Sequence, residues 1–522
     1  MSLSRRALAF AVGLSLTASS FAINFNFGPA DSIDSDRLKA HLTFIASDLL
    51  KGRDTPSEGL DIAAAYIASQ LKLTGVQPAG EDGTYFQKMW MVRSKLNLEK
   101  TSVMAGDLAL KAGTDFLPTG LSAGMVSGNA IYIAGGYANA KENINPYAGK
   151  AVKGKVVFTD YSLPEGVQMR DVFRNPDWQR PEQAAMANGA IAVVRIVNNG
   201  TGAWQNQLDR MTQGSGRFTP EWTLGEGASI PAISMTESAA KSVFPAGMSG
   251  SAVGSKVTID LGVEVERTYS NNVIGIVPGS DPKLKEEMIS IGAHYDHVGV
   301  GRADNNGDTI YNGADDDGSG TVALLEMSRV VAQGPRPKRS MMFIWYCGEE
   351  KGLLGSEYFV NHPTVDLKKM RLNINVDMIG RAKQAGDTNP ANNMLAGQNE
   401  TYVIGPRVIS SQLDPILRGV NDKYLKLKLN DHYDSLSDPE RIFYRSDHIS
   451  WVGKGVPAIF FFSGAHEDYH RPSDQVEKID FTNMTKIART IFAMLFEVGN
   501  MDNPPVIDQV IPGVWDPKNS GG

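Results

Sequence analysis

From residue 272 to 498 the sequence alternates between short apolar runs and longer stretches with helical spacing. No other feature of the chain constrains its fold as strongly. The runs at 273–277, 288–292, 340–346, 372–376 and 456–462 read as strands, and 318–331, 353–359 and 481–498 read as helices. Strands alternating with helices predict an α/β fold with a mainly parallel sheet covered on both faces. Ligands of such a sheet bind outside the carboxyl ends of its strands. The residues that follow each strand therefore carry the functional information.

His294-Tyr295-Asp296 follows the second run, and Cys347-Gly348-Glu349-Glu350 follows the third. Asp377 follows the fourth, and a loop with His466, Asp468 and His470 follows the fifth. Asp315-Asp316-Asp317 stands just before the first helix. One aspartate at a strand end is commonly a helix cap, whereas four strand ends leading into oxygen or imidazole donors point to one shared site. Cys347 is the single cysteine, so an intrachain disulfide and a thiolate metal cluster are both excluded. A metal must then be held by His, Asp and Glu. That mixture suits zinc, while calcium and magnesium favour all-oxygen sets. Two histidines and three carboxylates serve two ions if one carboxylate bridges them. Glu349 and Glu350 are neighbours on a turn and point differently, so one can ligate while the other faces the attacking water.

Outside this region the texture changes. Arg5 and Arg6, an apolar run at 7–16 and Ser20-Phe21-Ala22 read as a cleaved signal peptide, residues 1–22. Its apolar run is shorter than the ~20 residues that span a bilayer. Cleavage removes two positive charges and no negative one, taking the net charge from −7 to −9. The protein is expected to be exported, periplasmic or secreted, with no further membrane span. The acidic balance, with no basic stripe carrying interleaved aromatics, argues against nucleic acid as a partner. Helical spacing of apolar residues recurs over 35–73. From about 104 to 261 glycines are frequent, and the short runs at 130–133, 155–158, 191–196, 230–233 and 256–261 read as strands, with one helix near 181–188. The stretch 382–441 resists placement, and the tail after Asn500 reads as peripheral.

Taken in order, His294-Tyr295-Asp296, Gly313 to Gly320, Gly348-Glu349-Glu350, Asn375-Val376-Asp377-Met378 and Asp468-Tyr469-His470 resemble the di-zinc aminopeptidase, glutamate carboxypeptidase and transferrin receptor family. The resemblance implies a three-layer, phosphorylase/hydrolase-like zinc exopeptidase core over 31–105 and 265–500, with a tail at 501–522. The segment 106–264 resembles a protease-associated insert through 156–160, 182–195 and 229–233. Carried over residue by residue, the pattern implies that His294 and Asp377 hold one zinc, Glu350 and His470 hold the other, and Asp316 bridges them. Glu349 is then the general base and acid, and Asp296 orients His294. A cis peptide bond after Asp316 is also implied. His297 and His466 stand outside the family's ligand pattern, and Ser446-Asp447-His448 resembles a segment near the substrate. The implied activity is removal of N-terminal residues from peptides. The alternatives are a carboxypeptidase, for which Arg381, Arg441 and Arg445 are candidate carboxylate grips, a non-catalytic receptor-like ectodomain, and a one-zinc glutaminyl cyclase.

Overall fold

The structure, a computed structural model, describes residues 27–516 apart from 121, 123, 176, 199–202, 214–216 and 224–229. The expected leader lies outside the described residues. The chain forms two compact units. One takes the residues up to Arg53, Ile62–Tyr85 and those from Val273 onward, and the other takes Asp54–Asp61 and Phe86–Asn272. The expected 106–264 insert falls within the second.

The first unit is built on β1 (Val263–Val277, through its last five residues), β2 (Met288–His294), β3 (Ser340–Tyr346), β4 (Met370–Val376), β5 (Glu400–Ile404), β6 (Lys428–Asn430) and β7 (Ala458–Phe462). Their order is β1-β3-β2-β4-β7-β5-β6. The four central strands, β3, β2, β4 and β7, are mutually parallel. β1 pairs antiparallel with β3, and β5 antiparallel with β7, so the sheet is mixed and its parallel part is the centre. Every residue of β2 and β3 is buried, which is why these strands read as unbroken apolar runs.

Strand alternation directs β3 to both faces. The Trp345 indole donates to Thr321 O on α3 (Gly318–Gln333). On the opposite face, Tyr346 packs with Phe359 of α4 (Leu354–Asn361) and with Trp451 of α6 (His448–Val452), whose indole donates to the Tyr346 hydroxyl at 2.7 Å. α1 (Ser35–Ile45), which α2 (Glu58–Thr74) follows in the chain, and α7 (Phe481–Asn500) complete the α3 side, so helices cover both faces.

Two expectations change. The stretch 382–441 contains strands β5 and β6 and the helix α5 (Leu413–Lys423). Pro415 and Gly419 masked that helix in the sequence. The tail is not peripheral up to Trp515, because Ile511 is fully buried in one cluster with Ala458 and Phe460, and the Trp515 ring packs against Gly455.

The second unit also contains four adjacent parallel strands, Met125–Tyr132, Val156–Thr159, Ala192–Val197 and Ala232–Thr236. Val253–Asp260 and Phe116–Gly120 pair antiparallel at either side. The helix Pro181–Ala187 packs Ala184 and Ala185 against Val157 and Val193. Among the described residues, no helix is long and apolar enough to cross a membrane.

Candidate metal centre

Parallel register lines up the carboxyl ends of the central strands. His294 stands opposite Tyr346, and Gly292 opposite Asn375. The chain leaving each strand therefore enters the same space.

The three consecutive aspartates have three separate environments. The Asp315 carboxylate accepts from the Gly380 amide at 2.6 Å and lies 3.2 Å from His466 Nε2. Asp317 caps α3 through the Gly320 amide and also accepts from the Met378 amide. Asp316 alone faces the strand ends, and the Asp316–Asp317 peptide is cis. The Asp474 carboxylate accepts from the amides of Asp315 and Asp316 and fixes the turn from behind.

Asp316 belongs to two donor clusters. In one, His294 Nε2 lies 3.3 Å from Asp316 Oδ1 and 3.6 Å from Asp377 Oδ1. In the other, His470 Nε2 lies 3.0 Å from Asp316 Oδ2 and 3.0 Å from Glu350 Oε2. His297 joins this second cluster. His466 joins neither, because its ring is directed at Asp315.

The residues fit zinc ions. Asp316 Oδ2, Glu350 Oε1 and His470 Nε2 are buried atoms without a hydrogen-bond partner, although they crowd together. Such atoms are rare and call for a missing partner. Protons also take a cation's place here. Burial opposes charge on His470, yet Asp316 and Glu350 push its pKa up to about 10. Burial likewise opposes charge on His294, while Glu349 and Asp377 carry it well above the ordinary histidine value. Burial pushes Asp316 up, but the two rings outweigh it and hold the carboxyl well below the usual range.

Supports surround these donors. His294 Nδ1 lies 3.2 Å from the carbonyl of Asp296, which leaves Nε2 for the cluster. The Asp296 carboxylate is 3.7 Å from Nδ1 and accepts the Glu349 amide at 3.1 Å. Asp296 thus orients His294 chiefly through its main chain, while its side chain fixes the glutamate turn. Ser446 donates to Asp377 at 2.8 Å and accepts from Asn375 at 2.7 Å.

Gly348 is left-handed (φ 74°) and opens a 3-10 turn at Glu349–Lys351. Side chains one residue apart on such a turn diverge by about 120°. Glu350 accordingly faces His470 and His297, while Glu349 faces His294 and lines a cavity with Asp316, Asp377 and Tyr469. Burial, reinforced by Asp377, raises the Glu349 pKa well above the ordinary value. Met378, Met394, Ile442, Phe460 and Phe462 make the apolar wall of this cavity, and Arg445 also lines it. Arg381 is paired with Asp468, and Arg441 lies over the Tyr444 ring.

Two supporting residues were missed in the sequence. Burial and the nearby carboxylates raise the Tyr469 phenol, which stays protonated on the cavity wall. Arg53 is fully buried and donates to the carbonyls of Ile45, Tyr295, Asn312 and Gly313. It ties together the loops that carry His294 and Asp316. Nothing near Arg53 in the sequence marks this role, whereas the position of Tyr469 beside His470 offered a signal.

Residues 272–495 match the model of Peptidase family M28. The chain is 29% identical over 238 residues to a probable leucine aminopeptidase of Arthroderma benhamiae, covering 44% of this chain and 57% of that protein. It is 28% identical over 243 residues to aminopeptidase YwaD of Bacillus subtilis, covering 45% and 46%. The chain spans about half the length of the curated relatives it matches. Among solved structures, BSAP, a zinc aminopeptidase from Bacillus subtilis, is 18% identical with a TM-score of 0.46, covering 90% of this chain and 96% of that one.

Proposed function

We propose, for a chain that carries a Peptidase family M28 domain over residues 272–495, that it is an exported zinc-dependent exopeptidase. In this reading it removes N-terminal residues from peptides at a co-catalytic two-zinc site. One observation carries the reading: Asp316 is shared by two donor clusters, one buried and one half-buried, with Glu349 beside them on the wall of a cavity. His294, Asp377 and Asp316 would hold one ion, and Glu350, His470 and Asp316 the other. When bound, the pair of ions supplies Lewis-acid polarisation and makes water a nucleophile at neutral pH.

The chain's own residues supply the rest. Glu349 takes the proton of the attacking water and later gives it to the leaving amine, and its raised proton affinity suits both steps. The Tyr469 phenol can donate to the oxyanion that develops at the scissile carbonyl. The acidic side of the cavity suits a free substrate ammonium, and the apolar wall suits an uncharged side chain. The second reading, a carboxypeptidase, is favoured by Arg445, since arginine matches a carboxylate's geometry.

Hydrolysis of free aminoacyl anilides and of N-blocked peptides with a free carboxyl end, each with and without chelator, separates the readings. The proposal expects cleavage of the free amine substrate alone, abolished by chelator. Cleavage of N-blocked peptides from a free carboxyl end supports the carboxypeptidase, and no hydrolysis of either supports a receptor-like ectodomain. The same proposal includes removal of residues 1–22, so exported protein should begin near Ile23, and an intact Met1 overturns that part. It also includes the protease-associated reading of 106–264, supported by the parallel strands and the Pro181–Ala187 helix of that region.

A further inference from the structure

His297 closes the sequence His294-Tyr295-Asp296-His297 and was expected to stand outside the ligand set, because a loop does not hold such a spacing as a helix does. In the structure this loop is held. The His297 amide donates to Arg53 O at 3.1 Å, and the Arg53 guanidinium donates to Tyr295 O at 2.8 Å and to Gly313 O at 3.0 Å. The His297 ring is fully buried against Gly313, where a Cβ would come within 2.6 Å of it. Glycine at 313 therefore makes room for the imidazole.

The ring reaches the second donor cluster. His297 Nδ1 lies 2.8 Å from Glu350 Oε1 and 3.7 Å from Asp316 Oδ2. Ligand atoms from His297, Asp316, Glu350 and His470 all lie within 4.8 Å of one another. Each of the four residues contributes a buried atom without a hydrogen bond, namely His297 Nδ1, Asp316 Oδ2, Glu350 Oε1 and His470 Nε2. His297 Nδ1 and Glu350 Oε1 are close but not aligned as donor and acceptor. A simple imidazole–carboxylate hydrogen bond thus leaves both atoms unexplained, whereas one cation between the four satisfies all of them.

We infer that His297 is a fourth protein ligand, through Nδ1, of the zinc ion held by Asp316, Glu350 and His470. The inference rests on the two-zinc reading above. Its consequence is asymmetry. Four protein ligands are the pattern of closed, structural zinc sites, and three with an open position that of catalytic ones. The His294 site would keep the open position, and the His297 site would anchor Asp316.

The test loads the full chain with NMR-active cadmium after isotope labelling of its histidines. Three imidazole nitrogens coupled to cadmium are expected, those of His294 and His470 being Nε2 and that of His297 being Nδ1. In zinc titrations, His297→Ala should weaken one ion by more than the ~10–100-fold typical of an outer-shell partner, while the other ion stays bound. Two bound ions with only two coupled imidazoles overturn the inference alone. Fewer than two ions in the unaltered chain overturn the two-zinc reading and the inference with it. The cadmium measurement uses the unaltered protein, so it decides the matter even if the alanine variant does not fold.

Discussion

Both units contain four adjacent parallel strands with antiparallel neighbours, and both place acidic residues where those strands end. In the second unit Asp160 follows the strand Val156–Thr159. Its carboxylate accepts from the Gly135 and Ser162 amides and from the hydroxyls of Ser162 and Tyr132. Burial opposes the charge, but these donors hold the carboxyl below its ordinary value. In the first unit Asp377 occupies the corresponding place after β4, and burial raises it despite His294 and Ser446. Among the described residues, the metal-type clusters fall in the first unit and none in the second. Parallel topology thus supplies a place for chemistry. The site exists only where the loops leave buried donor atoms uncommitted.

The sharpest way to break this contrast is at Glu349. Glu349→Gln keeps the shape and removes the proton acceptor, so kcat should fall by at least ~10²–10⁴-fold with the zinc count unchanged. Glu350→Gln should behave differently, losing one ion, because a neutral amide is a poor zinc ligand. Measuring bound zinc and kcat for both variants checks the assignment, and the opposite pattern means that the two glutamates are exchanged. Ser446→Ala leaves Asp377 without its hydroxyl donor and should weaken one ion by ~10–100-fold in competition with a chelator.

The next effect is on stability. His448 is buried against the Phe443 and Phe460 rings, and burial pushes its pKa down to about 3 from 6.5. Below about pH 6.5 the unfolded chain takes up a proton that the native ring refuses. Stability should therefore fall as pH drops from 6.5 toward 3, by up to about 1.4 kcal/mol per pH unit from this group. His448→Phe should lose that slope in thermal or denaturant unfolding. The smallest effect is expected in the second unit, where Asp160→Ala should cost about 1–3 kcal/mol of its stability and leave kcat of the intact chain unchanged. A loss of kcat at Asp160 would end the contrast between the units.

The alternation of strands and helices was legible because buried strands must be apolar on both faces. Their ends were legible because His294 and Asp377 stand at strand ends and Glu350 and His470 in the loops that leave them, and the structure gathers these four and Asp316 into two clusters. His297 was not legible as a member, because loop geometry, which brings its ring to Glu350, depends on Arg53 and Gly313. α5 was hidden by residues that disfavour helices in isolation and are tolerated where Leu413, Leu417 and Val420 are buried. The tail looked peripheral because its Pro- and Gly-rich composition conceals single anchors such as Ile511.

Arg53 has a kinetic consequence. Its guanidinium joins Tyr295 and Asn312 across sequence separations of 242 and 259 residues. Closing a chain loop of that size costs on the order of 5 kcal/mol in entropy before any contact repays it. Contacts so distant are slow to form, and in a chain made from its amino end they form only after the whole intervening segment has been synthesised. The loops that carry His294 and Asp316 are therefore tied to Arg53 only after Gly313 has been made.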